Sequence, residues 1–246
     1  MRRLLLLHGF TGAPSSWQAL IPELGVFGEI VTPLLTGHGR PATALEVQSF
    51  EEEVDRLAEL LAPGRWEVAG YSLGARLVLG LLVRHQERFS RAILISGRPG
   101  LESDAERLRR IEQDEALATS LERDALEAFV ESWEQQPLFA TQTRLPEAVR
   151  AAERSRRTSH EARGLAHSLR VTGLGHMPNY WNALEQLHLP VEVVAGALDP
   201  AFCALGEAVV GKLPNARFTR ISEAGHNLLI EQPREVARII ARGTPS

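Results

Sequence analysis

Trp66-Glu67-Val68-Ala69-Gly70-Tyr71-Ser72-Leu73-Gly74-Ala75-Arg76 is the stretch on which the reading of this chain turns. Trp66 to Ala69 reads as a buried strand ending at Gly70, and Leu73 to Arg84 as a strongly apolar helix. Between them stands a G-x-S-x-G pentapeptide. In a strand–turn–helix of this kind the turn is sharp, and glycines are needed because side chains would clash there. The serine is held at the C-terminal end of the strand, under the positive end of the next helix dipole. Ser72 is therefore the first candidate for chemistry.

Working outward, short apolar runs alternate with helical patterns. Leu4 to Leu7 is a continuous apolar run ending in His-Gly, and Ser15 to Leu24 can form a helix with Ser15 as its N-cap. Glu29 to Leu34 reads as a strand, Phe50 to Leu61 as a helix, and Ala92 to Ile95 as a strand. From about Gly100 to Trp181 the chain is rich in Arg, Glu and Ala and has no convincing strand. Candidate helices there are Glu102 to Thr119, Glu122 to Glu134, Pro146 to Arg157 and Glu161 to Ser168. Strand–helix order then resumes: Val191 to Ala195, Phe202 to Lys212, Arg217 to Ile221 and Pro233 to Ala241. The expectation is an α/β fold, a mostly parallel sheet flanked by helices. Its core comprises residues 1–97 and 185–246, split by a helical cap over 98–184.

Two further residues complete a chemical set. Asp199, in Ala195-Gly196-Ala197-Leu198-Asp199-Pro200, sits in a loop after a late strand. It is placed to accept from a histidine ring N–H, fixing the tautomer and stabilising the imidazolium. His226, in Ala224-Gly225-His226-Asn227, follows the last strand and is the candidate base. The order Ser72, Asp199, His226 resembles that of the α/β-hydrolase fold. Phe10, in His8-Gly9-Phe10-Thr11-Gly12, and Leu73 are then expected to offer backbone N–H groups as an oxyanion hole. His8 and His38 are read as structural.

Composition excludes other classes. The chain has 246 residues and a net charge of −4, which gives no footprint for nucleic acid. Lys212 is the only lysine and Cys203 the only cysteine, so a lysine Schiff base is not expected and an intramolecular disulfide is impossible. The other histidines lack metal-ligand spacing, so no metal is expected. No apolar run approaches the roughly 20 residues that span a bilayer. A soluble, cytoplasmic protein is expected, with its oligomeric state open.

The segment 98–184 is more specific. Together with the preceding Gly97 it contains Gly97-Arg98-Pro99-Gly100-Leu101, Glu106-Arg107, Arg110, then Trp133 through Gln136-Pro137-Leu138-Phe139, Arg154, and Ser168-Leu169-Arg170 leading to Pro178 and Trp181. With Arg76 after the pentapeptide, these resemble the 2-succinyl-6-hydroxy-2,4-cyclohexadiene-1-carboxylate (SHCHC) synthases of menaquinone biosynthesis. The resemblance spans almost the whole chain. It implies a lyase that eliminates pyruvate from the polycarboxylate SEPHCHC by abstracting a ring proton. Ser72 would act as base, Tyr71, Arg76, Arg110, Trp133 and Arg154 would bind substrate, and no cofactor would be required. The arginines would pair with carboxylates through fork-shaped, charge-assisted bonds. The alternative is a serine hydrolase acting on a small acidic ester, thioester or C–C bond. Three departures stand out. The two leading edge strands usual in the fold are not expected, since the chain starts at the strand bearing His8. Ala75 replaces a frequent glycine. The family's Gly-Thr-Gly-x-Gln-Pro reads Gly173-Leu174-Gly175-His176-Met177-Pro178, which removes a polar group from the substrate side.

Overall fold

The four leucines Leu4–Leu7 show what drives the architecture. Successive strand side chains point to opposite faces, and here Leu4 and Leu6 join one apolar cluster while Leu5 and Leu7 join another. All four are fully buried, and each contributes about 1.5–3 kcal/mol. A strand of this kind needs cover on both sides.

The computed structural model describes residues 1–242. Its strands are β1 (Arg3–Leu7), β2 (Glu29–Val31), β3 (Trp66–Tyr71), β4 (Phe89–Ile95), β5 (Val191–Gly196) and β6 (Ala216–Ile221). Its helices are α1 (Phe50–Glu59), α2 (Leu73–His85), α3 (Asp104–Arg123), α4 (Leu126–Glu134), α5 (Glu147–Thr158), α6 (Ala162–Thr172), α7 (Pro200–Val210), α8 (Leu228–Glu231) and α9 (Pro233–Ala241). The strands form one sheet in the order β2-β1-β3-β4-β5-β6, with every neighbouring pair parallel. Residues of α1 and α2 cover one face. Residues of α8 and α9, with Trp17, Leu20 and Leu24, cover the other.

Between β4 and β5 the helices α3 to α6 build a core of their own from Ala118, Leu121, Phe129, Val130, Leu165 and Leu169. Phe10, from the loop after β1, packs against it. A second tie is polar. His160 accepts from the Gly39 N–H at 2.8 Å through Nδ1 and donates to the Thr11 carbonyl at 3.1 Å through Nε2. The insertion is thereby anchored to two core loops beside β1.

Four local expectations change. The stretch Ser15 to Leu24 forms two short 3-10 turns, Pro14–Trp17 and Ile21–Glu23, because Pro22 lacks the N–H that a continuous helix needs. Ser15 caps nothing; its hydroxyl accepts from Arg156 Nε at 3.1 Å. β2 stops at Val31, paired with Leu5, and the nearby Pro33 has no N–H to donate to a ladder. α6 runs on past Ser168 to Thr172, ending at Gly173, and Pro137–Arg144 adds a 3-10 segment that apolar spacing does not reveal. No described helix is long and apolar enough to cross a membrane.

Candidate active site

Gly70 and Gly74 explain how the turn after β3 is made. A Cβ at Gly70 would lie 2.3 Å from the Gly74 carbonyl oxygen, and one at Gly74 would lie 2.0 Å from that of Leu7. Only glycine lets α2 start this close to β1 and β3. Ser72 takes up the turn itself with φ 52° and ψ −107°, a left-handed conformation that an L-residue holds only when its surroundings compel it. The Ser72 N–H donates to the Ile95 carbonyl at 2.9 Å, which ties the turn to β4.

His226 Nε2 lies 3.2 Å from Ser72 Oγ, and His226 Nδ1 lies 3.1 Å from Asp199 Oδ2. Asp199 divides its oxygens. Oδ1 accepts from the Phe202 N–H at 3.2 Å and so caps α7, with Pro200 in the first turn; Oδ2 faces the imidazole. His226 is 1% exposed, and the Phe202 ring stands edge-on to it at 4.5 Å.

Two residues without a sequence signature hold the histidine loop. The Ser96 hydroxyl donates to the His226 carbonyl at 2.9 Å. Glu231 accepts from the Gly225 N–H at 2.7 Å and the Asn227 N–H at 3.2 Å, bracketing His226. Neither belongs to a motif. Ser96 is legible only through its place at the end of β4, and Glu231 only once the chain has turned back on itself.

A cavity of about 310 Å³ opens over Ser72. Of the expected residues, Phe10, Tyr71, Leu73, Arg76, Arg110, Trp133 and His226 line it. The Phe10 N–H has no backbone acceptor among the described residues. The Leu73 N–H opens α2, where a helix has no internal acceptor. Trp133 stacks on Phe129 at 5.8 Å and meets Phe10 edge-on at 5.1 Å. Its Nε1 is buried and unpartnered. Burial pushes the Tyr71 phenol well above its ordinary value, which keeps it protonated. Arg76 donates to the Thr172 carbonyl at 2.8 Å, and Arg110 donates to the buried Asp114 at 2.8 Å. Burial, then the charge of Arg110, pulls Arg76 down to about 9.

Arg154, expected among the substrate-binding residues, stands apart from the others. It does not line this cavity. Its guanidinium is about half exposed and pairs with Glu134 in a separate groove between α4 and α5, because its position on α5 turns it toward the C-terminal end of α4. Arg98, which no local pattern marks as a ligand, does line the cavity.

His8 takes the structural part expected of it. One ring nitrogen lies 2.8 Å from the Gly9 carbonyl, and the other accepts from the Leu35 N–H at 3.3 Å. Among the described residues no group of three His, Cys, Asp or Glu side chains is placed to hold a metal ion.

Comparison with known proteins extends this geometry. The chain matches the alpha/beta hydrolase fold family over residues 2–233. It is 31% identical to the 2-succinyl-6-hydroxy-2,4-cyclohexadiene-1-carboxylate synthase of Enterobacter sp. (strain 638), covering 97% of this chain and 90% of that one. It is 36% identical to a Bacillus subtilis (strain 168) protein that carries the same name provisionally, covering 97% and 88%. The solved structure of MenH from S. aureus superposes with a TM-score of 0.93 at 29% identity, over 97% of this chain and 91% of that one. A thermophilic esterase from Thermogutta terrifontis, solved with malate bound, gives a TM-score of 0.85 at 25% identity, over 98% and 88%. The chain belongs to the alpha/beta hydrolase fold family and, within it, to the 2-succinyl-6-hydroxy-2,4-cyclohexadiene-1-carboxylate synthases.

Proposed function

We propose that this protein eliminates pyruvate from SEPHCHC to form SHCHC, with Ser72 as the base. The observation that carries this reading is the convergence, in one cavity, of a serine–histidine–aspartate relay with cationic side chains of α2 and α3. A neutral ester needs no such cations; a substrate with several carboxylates does.

The relay sets the proton path. Asp199 accepts from His226 Nδ1–H, so Nε2 carries a lone pair toward the Ser72 hydroxyl. Ser72 Oγ takes a ring proton next to a substrate carbonyl as its own proton passes to His226. Asp199 then stabilises the imidazolium. The electron pair left on the ring moves first onto the carbonyl oxygen, which the N–H groups of Phe10 and Leu73 and the N-terminus of α2 stabilise. It then returns through the ring and breaks the C–O bond to the enolpyruvyl group. Pyruvate leaves as its enolate and takes a proton from water, and the imidazolium of His226 gives its proton to the hydroxide so formed, which restores the relay. No electrons are gained or lost overall, and no acyl-enzyme forms. Arg76 and Arg110 fix substrate carboxylates, and Trp133 with Phe10 supplies an apolar wall.

A second reading, a serine hydrolase, draws on the same relay and on the likeness to the esterase. The two separate on one experiment. Purified protein given SEPHCHC is expected to release pyruvate with the rise of the diene's absorbance. Rapid turnover of acyl esters without pyruvate release would overturn the synthase reading.

A further inference from the structure

Three guanidinium groups face the cavity above Ser72: Arg76, Arg98 and Arg110. Their partners are unequal. Arg110 has the carboxylate of Asp114, and Arg76 has only the Thr172 carbonyl. Arg98 has neither: its Nε is buried with no hydrogen-bond partner, and it forms no ion pair among the described residues. Its backbone, in contrast, is held firmly. The Pro99 carbonyl accepts from the Tyr180 N–H at 2.7 Å, and Gly100 packs so closely on Pro178 that a Cβ there would lie 2.6 Å from the Pro178 carbonyl oxygen. An anchored backbone thus presents an unsatisfied cation to the cavity.

The surroundings do not compensate it. Burial and then the positive charge of Arg110 lower the Arg98 guanidinium, while Glu106 and Glu102 act only more weakly in the other direction. Of the three cations only Arg110 has an ion-paired carboxylate among the described residues. Burying an unpaired donor of this kind costs free energy that only an incoming partner returns. The segment packed against Arg98's own offers no substitute, since Met177 there is apolar and buried in the core.

We infer that Arg98 is a specificity-determining residue: beside Arg110 and Arg76 it supplies a further guanidinium that forms a carboxylate subsite in the cavity. The identity of the bound molecule as SEPHCHC rests on the reading above; the subsite itself takes any polycarboxylate of fitting size.

The test uses Arg98→Gln and Arg98→Lys beside the unaltered protein, with benzene-1,2,4-tricarboxylate as probe by titration calorimetry. Arg98→Gln is expected to weaken binding by about 10- to 100-fold, the range for a charge-assisted bond. Arg98→Lys should recover part of it, since lysine keeps the charge but loses the fork. With SEPHCHC the loss should fall on KM rather than on kcat. Without ligand, Arg98→Gln should melt at the same or a higher temperature, because a like-charge neighbour of Arg76 and Arg110 is removed. A lower melting temperature with unaltered probe affinity would show a structural role and overturn the subsite, as would an unaltered protein that does not bind the probe. Probe binding through Arg98 without pyruvate release would keep the subsite and overturn the synthase reading. Pyruvate release with unaltered binding in both variants would do the reverse.

Discussion

Acidification from pH 7 to pH 5 is expected to destabilise the fold through three histidines packed edge to face. His8 and His38 lie with ring centroids 4.8 Å apart, and His38 and His160 5.3 Å apart. Burial lowers all three below the ordinary histidine value, His8 to about 3. Two of the rings are held by bonds that require the neutral form: His8 Nε2 accepts from the Leu35 N–H and His160 Nδ1 from the Gly39 N–H. The folded protein therefore binds these protons less readily than the unfolded chain. Stability is full above the unfolded value, near 6.5, and falls as pH drops toward the folded one. For His8 alone, two pH units across this window amount to about 2 kcal/mol. His38 and His160 act in the same direction. Urea unfolding at pH 7, 6 and 5, with the m value held constant, measures it. A loss at pH 5 of about 2 kcal/mol or more is expected. His160→Gln should flatten the slope. A free energy of unfolding that is level across the window would refute the argument that these rings are held neutral.

Three other perturbations probe the site. Asp199→Asn should lower kcat by about 10⁴-fold, because the imidazole loses its tautomer partner, while circular dichroism melting changes little since asparagine still caps α7. Glu231→Gln leaves one oxygen for two backbone N–H groups; kcat should fall about tenfold, roughly one lost hydrogen bond's worth, with KM retained. Gly74→Ala should cost about 4 kcal/mol or more, since the new Cβ would lie 2.0 Å from the Leu7 carbonyl oxygen; urea unfolding or loss of soluble protein would register it.

Much of the architecture was legible because it rests on local patterns. Four consecutive leucines announce a strand covered on both faces, and Gly70 to Gly74 carry a turn that other residues cannot make. Asp199 was legible as an acid after a strand, although its capping of α7 was not, because Pro200 reads equally well as a turn. The cavity was less legible. Arg154 and Arg98 are both cap-side arginines in an arginine-rich stretch, and composition cannot say which one faces inward. That depends on which side of α5 meets Glu134 and on how Gly100 packs against Pro178. Ser96 and Glu231 act on the backbone of a loop that only the folded chain brings to them, which leaves no local pattern to read.

In the proposed reaction Ser72 removes a proton and is not acylated. The direct measurement is single-turnover release of pyruvate from SEPHCHC carrying deuterium at the abstracted ring position, with intact-protein mass spectrometry of the quenched enzyme. Slower release from the deuterated substrate and no adduct on Ser72 are expected. Equal rates together with a covalent substrate fragment on Ser72 would contradict it.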